Sequence, residues 1–247
     1  MKVALFAPCY VDQLYPQVGI AAVRVLERLG IDVAVPTGAA CCGQPMANAG
    51  FSHEAEQVIA PFVETFASYE AVVVLSGSCA LHVKQHAGAV GSAGAQVAAR
   101  TVEFCAFLHD TVGVDRMASL GAAFPKRVGV HIGCHGLRGL CVARPTELQI
   151  APFDKVRSIL GTVQGLSIAE LARPDECCGF GGTFAVGEPA VSVKMGRDRL
   201  RQFSTAHAEA IVTTDMSCGM HLDGLSRRST APVPVLHVAQ LFDGVTT

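Results

Sequence analysis

Glu176-Cys177-Cys178-Gly179-Phe180-Gly181-Gly182 has an earlier counterpart in Ala40-Cys41-Cys42-Gly43-Gln44. Adjacent cysteines followed by glycine are a poor choice for ordinary packing. Their side chains diverge, both are reactive, and glycine adds nothing to a core. Each copy has one cysteine well upstream and one well downstream: Cys9 and Cys79 around the first, Cys134 and Cys218 around the second. Cys9 to Cys41 spans 32 positions and Cys134 to Cys177 spans 43; Cys42 to Cys79 spans 37 and Cys178 to Cys218 spans 40. The chain therefore reads as two related halves, each bringing four thiols to one place.

The flanking pattern repeats in step. Residues 2–7 hold Val3, Leu5 and Phe6 and read as a buried strand, with Cys9 just past its end. Across 18–29, Val18, Ala21, Ala22, Val25 and Leu29 fall at the spacing of an amphipathic helix, closed by Gly30. A second strand over 31–35 ends at Pro36 and leads to the first cysteine pair. The spacing then predicts a helix over 52–68 with Ser52 as N-cap, a strand over 71–75, and a helix opened by Ser76-Gly77-Ser78-Cys79. A further helix is expected over 102–112, with Phe104, Phe107 and Leu108 at core spacing. The second half offers a strand over 127–132 leading to Cys134, a helix over 153–163, and a segment 166–170 leading to the second cysteine pair. A helix over 188–203 and a strand over 210–214 follow, the strand running into Asp215-Met216-Ser217-Cys218. Its closing segment, 235–242, matches 102–108.

Apolar strands alternating with helices imply mainly parallel sheets covered on both faces. The expected fold is α/β, with two similar Rossmann-like subdomains (residues 1–118 and 119–247) related as a pseudo-twofold internal repeat. The linker is expected within 113–126, which holds Gly113, Gly121 and Pro125. All the paired and flanking cysteines fall at strand-to-helix ends or in loops beyond them, where such sheets build sites.

Composition narrows the function. Of 247 residues, 50% are hydrophobic and 16% charged, which provides a core and excludes disorder. The formal net charge is −2 and no run of Lys and Arg appears, so no nucleic-acid surface is expected. Arg197-Asp198-Arg199 and Arg227-Arg228 read as solvated faces. The N-terminal apolar run is too short for a signal peptide, and no segment approaches the ~20 apolar residues of a membrane span. The expected location is the cytoplasm. Cysteines stay reduced there, so metal or redox chemistry is favoured over a disulfide framework.

Four thiolates per half suit either tetrahedral zinc or a [4Fe–4S] cluster. The candidate metal ligands are Cys9, Cys41, Cys42 and Cys79, and Cys134, Cys177, Cys178 and Cys218. Zinc knuckles of the C-x₂₋₄-C type are absent, and adjacent thiolates wrap one small ion poorly, whereas a cluster spreads its binding points over several irons. Gly43, Gly179, Gly181 and Gly182 let the backbone approach sulfur and offer N–H donors, which help to set a redox potential. This favours one or two iron–sulfur clusters, with zinc as the alternative in one or both sites.

Other residues carry weaker signals. His82 and His221 each follow the last cysteine of their half by three positions. They are candidates to hydrogen-bond a cofactor, move protons or replace a ligand, or else simply occupy the first turn of a helix. His131 and His135 flank Cys134 and either orient the site or lie at the surface. His86, four after His82, has no assigned role. Cys105 falls at core spacing and reads as buried and inert. Cys141 has no counterpart in the first half and is the spare ligand or oxidation-prone thiol. Gly181-Gly182 lacks the lysine of a phosphate loop, and no G-x-G-x-x-G follows the first strand, so a nicotinamide cofactor is not expected. No side chain is an obvious general base, and no catalytic residue is assigned.

These residues resemble the CCG, or cysteine-rich, domain family, which includes the CCG-containing chain of heterodisulfide reductase and the iron–sulfur subunits of glycolate- and glycerol-3-phosphate-oxidizing complexes. CCGQPMANAG, SGSCALHVKQH, HIGCHGLR and CCGFGGTFAV are similar to its lactate utilization protein A branch, and the likeness covers both halves. The resemblance implies an electron-transfer subunit in oxidation of L-lactate to pyruvate. It would act beside companion lactate-utilization proteins, one carrying ferredoxin-like iron–sulfur clusters. In heterodisulfide reductase-type domains the last cysteine belongs to a C-x-x-C pair and supplies a fifth ligand for a noncubane cluster. Here Ser76 and Asp215 replace the first member of each pair. That departure favours four-ligand sites over disulfide-reducing chemistry; for Asp215, capping the next helix is favoured over ligation. Alternatives are a subunit of a glycolate-oxidase or heterodisulfide-reductase-like redox complex and, from another class, a zinc-stabilised interaction module.

Overall fold

In the computed structural model, which describes residues 1–244, the first half runs β1 (Val3–Phe6), α1 (Cys9–Leu14), α2 (Pro16–Arg28), β2 (Val33–Ala34), α3 (Gln44–Asn48), α4 (Ser52–Phe66), β3 (Ala71–Val74), α5 (Gly77–His86), α6 (Ser92–Arg100), β4 (Thr101–Glu103), α7 (Phe104–Ala106) and α8 (Val114–Ala118). The second runs β5 (Arg127–His131), α9 (Lys155–Leu160), β6 (Ser167–Ile168), α10 (Phe184–Gly187), α11 (Pro189–Thr205), β7 (Ala210–Thr213), α12 (Met216–Ser226), β8 (Val235–His237) and α13 (Val238–Asp243).

Each half forms a four-stranded, all-parallel sheet with the same order, β2-β1-β3-β4 and β6-β5-β7-β8. Every residue of β1, β3 and β7 is buried, as expected of central parallel strands with both faces covered. In each sheet the order reverses between the two central strands. Connections leave β1 and β3, and likewise β5 and β7, in opposite directions and open a crevice at their carboxyl ends. Cys9 opens α1 just after β1, and Cys79 lies in the first turn of α5 just after β3. Cys134 and Cys218 take the same places after β5 and β7.

Alternate residues of β1 point to different cores, following the period of two along a strand. Val3 and Leu5 join a large cluster with Val18, Val25 and Leu26 of α2, Phe104, Phe107 and Leu108. That cluster also takes in Val128, Val130, Ile159, Val212, Leu241 and Phe242, so one core is shared between the halves. Ala4 and Phe6 pack on the opposite face of the first sheet with Phe62 and Phe66 of α4. The corresponding outer face of the second sheet holds Ile211, Phe203 and Leu222. Helix α2 buries its predicted stripe and ends as expected at Gly30 (φ 68°): Gly30 N–H bonds Glu27 C=O at 2.8 Å and Ile31 N–H bonds Leu26 C=O at 3.0 Å.

Several boundaries differ from expectation. The segment 102–112 opens as strand rather than helix: Thr101–Glu103 pairs with β3, and helical turns begin only at Phe104. Segment 235–242 does the same, so the predicted match between the two segments holds with a different local structure. Sheet pairing outweighs local helical periodicity here. Ser52 is the first helical residue of α4 rather than its N-cap, a place taken by Phe51 without a side-chain bond. The connecting segment carries α8 and buries Met117, Leu120, Ala122 and Phe124 in the shared core. Helices α1 and α6 are additions to the expected plan. Among the described residues no helix is long and apolar enough to cross a membrane.

Candidate metal centre

The two crevices face each other. Cys9, Cys41, Cys42 and Cys79 from one half, and Cys134, Cys177, Cys178 and Cys218 from the other, line a single cleft of about 100 Å³. All are free thiols. Tyr10 and Phe180 meet edge to face across the cleft, with ring centroids 5.6 Å apart.

The paired cysteines are shaped by the glycines that follow them. Gly43 (φ 92°) donates its N–H to Cys41 Sγ at 3.4 Å, and Gly179 (φ 88°) donates to Cys177 Sγ at 3.3 Å. A Cβ at Gly43 would lie 2.9 Å from Ala55 O, and one at Gly179 2.7 Å from Ser192 O. Side chains are thus excluded twice over, by φ and by space. Phe180 N–H adds a bond to Cys178 Sγ at 3.5 Å. Cys42 Sγ and Cys79 Sγ are 3.1 Å apart in a buried setting.

Crowding splits the thiols by acidity. Cys41 is held far below the usual thiol range, first by the Cys42 thiol and then by that of Cys9, against the opposing effect of burial. Cys177 is lowered likewise, first by Cys134 and then by Cys178. Their donors Cys9, Cys42, Cys134 and Cys178 are raised correspondingly. Each half is thus a set of thiols in which one gives up its proton first, the electron-rich sulfur arrangement that a cationic group would neutralise.

In the second half a ring nitrogen of His131 and the Sγ atoms of Cys178 and Cys218 lie within 4.8 Å of one another, all buried, and form a group that could hold a metal ion. The donor set of the cleft, sulfur-dominated and backed by backbone N–H groups, fits an iron–sulfur cluster or a thiolate metal site.

Ser76 and Asp215 cap α5 and α12. Asp215 Oδ1 accepts from Ser217 N–H at 3.0 Å and from its hydroxyl at 2.7 Å. Its other oxygen, Oδ2, crosses to the first half, where it accepts from Ser76 Oγ–H at 2.8 Å and Ser78 N–H at 3.0 Å. The two positions that break the C-x-x-C pattern therefore meet each other and pin the halves together at the floor of the cleft.

The remaining candidates divide. Gly181 and Gly182 line the cleft, as does His135, whose Nδ1 is 3.7 Å from Cys134 Sγ. His82 and His221 stand behind it. His82 is buried against His86, rings stacked at 4.5 Å, and its Nε2 has no partner. His221 Nε2 lies 3.3 Å from Ser192 O. Cys105 is fully buried, and Cys141 is exposed, away from the cleft.

Arg199 overturns its reading as part of a solvated face. It is 0% exposed. Its guanidinium donates to His131 Nδ1 at 3.2 Å and to the carbonyls of Arg173, Pro174 and Val130 at 2.8, 2.9 and 3.3 Å. These acceptors make burial of the charge tolerable. Burial lowers its pKa to about 10, which leaves it charged at neutral pH. The signal is present in the spacing: Ser192, Gly196, Arg199 and Phe203 form the buried stripe of α11.

A family model described as "Cysteine-rich domain" (CCG) matches residues 3–84 and 128–223. The chain belongs to the CCG cysteine-rich domain family. It is homologous to lactate utilization protein A along nearly its whole length. Lactate utilization protein A 1 of Bacillus mycoides is 34% identical over 250 residues, covering 98% of this chain and 97% of that protein. The Exiguobacterium protein of that description is 35% identical over 250 residues, at 98% and 97% coverage. That of Bacillus subtilis is 33% identical over 249 residues, at 98% and 99% coverage. A crystal structure of a hypothetical protein from Helicobacter pylori matches with a TM-score of 0.61 at 10% identity, over all of this chain and 49% of that one. The chain thus spans about half of that structure, and the likeness is one of fold.

Proposed function

We propose that this chain is the iron–sulfur electron-transfer subunit of an L-lactate-oxidizing assembly. Cys9, Cys41, Cys42 and Cys79 would hold one [4Fe–4S] cluster, and Cys134, Cys177, Cys178 and Cys218 a second. The observation that carries this reading is the convergence of all eight thiols on one cleft, four from each sheet's crevice. Homology to lactate utilization protein A supports the substrate assignment, L-lactate to pyruvate, and the companion proteins, including a ferredoxin-like iron–sulfur subunit. We read the two halves as an internal repeat of Rossmann-like subdomains, residues 1–118 and 119–247, acting in the cytoplasm.

A bound cluster supplies one-electron transfer, and lactate oxidation releases two electrons and two protons. The chain's own residues prepare the site. Gly43 and Gly179 direct N–H groups at Cys41 and Cys177, favouring their thiolates. Tyr10 and Phe180 line the cleft and meet edge to face across it. Ser76 and Asp215 are committed to helix caps and to each other, which leaves four thiols per half and argues against a five-thiol site of the heterodisulfide reductase type.

The test is iron and acid-labile sulfide analysis of anaerobically purified protein, with its visible spectrum. Iron with matching sulfide is expected, with loss of about half of each in Cys42→Ala and in Cys178→Ala. Stoichiometric zinc without sulfide would overturn the reading in favour of a zinc-stabilised module.

A further inference from the structure

His131 stands where the second sheet's central strand meets the cysteines, yet its two ring nitrogens are not equally free. Nδ1 faces Arg199 Nε at 3.2 Å. A guanidinium only donates, so Nδ1 must accept. With Nδ1 unprotonated, the imidazole has its single N–H on the other ring nitrogen. That proton therefore sits on Nε2, which is buried and without a partner. A metal ligand needs a lone pair at this nitrogen, and here the lone pair is replaced by a hydrogen. A ring nitrogen of His131 lies within 4.8 Å of the sulfurs of Cys178 and Cys218.

No histidine occupies the equivalent position in the first half, where the buried His82 lies after the cysteines, on α5, instead. Phe6, three residues before Cys9 as His131 is three before Cys134, packs edge to face on Phe62 and Phe66 at 4.9 and 5.8 Å. Phe62 precedes Phe66 by four residues, as Arg199 precedes Phe203. An N–H donor and a buried cation thus stand behind one set of cysteines, and three phenyl rings behind the other.

We propose that His131, locked by Arg199, is a positioning residue that donates a hydrogen bond from Nε2–H toward the sulfurs of Cys178 and Cys218 instead of coordinating metal, and that it makes the second site the more easily reduced of the two. Donors to sulfur and nearby positive charge both favour the state carrying the extra electron. This rests on the reading that the cysteines hold iron–sulfur clusters.

The experiment uses the full chain loaded anaerobically with iron and sulfide, followed by a redox titration read by electron paramagnetic resonance. Two potentials are expected, with the higher one missing in Cys178→Ala. His131→Phe should keep its iron and sulfide and lower that potential alone, by a tenfold or larger change in its reduction equilibrium, about 59 mV for one electron. His131→Gln, which keeps an N–H donor, should recover most of the shift. If His131→Phe does not fold, the double variant His131→Leu/Arg199→Leu removes donor and cation together and should shift the same potential downward. Protein labelled with ¹⁵N-histidine should show only the weak coupling of a hydrogen-bonded nitrogen. A directly bonded nitrogen, loss of iron on His131→Phe, or an unmoved potential with full iron would each overturn the donor role while sparing the cluster reading. Absence of iron and sulfide in the wild type would overturn both.

Discussion

The two halves share a strand order, a cysteine pattern and a pair of glycine turns, yet they place opposite environments behind their thiols. Behind Cys42 and Cys79 lies an apolar wall of Phe6, Phe62 and Phe66. Behind Cys178 and Cys218 lie His131 and Arg199, with the guanidinium 4.6 Å over the Phe203 ring. A duplicated backbone plan therefore does not imply two equivalent sites. The scaffold decides where sulfur sits, and the side chains one layer back decide the field that it feels. A second contrast appears at the helix that follows the last strand of each half. Glu103 caps α7 through Ala106 N–H at 2.9 Å, whereas His237 caps α13 through Ala239 N–H at 3.2 Å, and both side chains are buried.

The harshest way to break the comparison is to move a second-half residue into the first. Phe62→Arg puts a charge into an apolar cluster without the three carbonyls that surround Arg199. A loss on the order of 3–5 kcal/mol is expected, a large fraction of the roughly 5–15 kcal/mol by which an ordinary domain is stable. Wild-type melting behaviour in this variant would show that the apolar wall is not the barrier to symmetry.

The caps can be told apart by pH. Burial raises the Glu103 carboxyl to about 7 from an ordinary 4.5. Its contribution to stability is complete below pH 4.5 and is lost as pH rises to 7. Glu103→Gln should remove that slope and stabilise the protein at pH 8 by up to about 3 kcal/mol, read by denaturant titration. Burial lowers His237 to about 4 from 6.5, so its contribution is present above pH 6.5 and is lost as pH falls toward 4. His82 in the first half and His131 in the second add to the same acid-side loss. A Glu103→Gln variant that kept the wild-type slope between pH 4.5 and 7 would contradict the assignment.

The smallest effect concerns what ties the halves together. A double-mutant cycle with Ser76→Ala and Asp215→Ala should give a coupling of about 1.5–3 kcal/mol, the range for a hydrogen bond to a charged group. The cycle is needed because Asp215→Ala also removes the α12 cap, worth about 1 kcal/mol by itself. Additive losses would mean that each residue merely caps its own helix.

Much of the architecture is legible in the residue pattern. The apolar strands, the α2 stripe and its glycine stop, and the glycine turns after each cysteine pair follow from interactions within a few residues, where periodicity and φ preference act directly. Local signals mislead where distant pairing takes over. Thr101–Glu103 has helical spacing around it but completes a sheet edge against β3, and Arg199 looks solvated within a charged run but turns inward. The histidine repeat at His82 and His221 points to residues that stand behind the cleft, while His131 lines up with the sulfurs.

By itself the sequence determined that there are two matching α/β halves and that four thiols in each fall beyond strand ends. Spacing and turn chemistry are local properties and survive without knowledge of the packing. Only the tertiary structure decided that all eight thiols share one cleft, that Ser76 meets Asp215 across 139 residues, and that Arg199 finds its acceptors 25 to 69 residues away. Burying a charge or joining two crevices depends on partners that are brought together by packing and are distant along the chain.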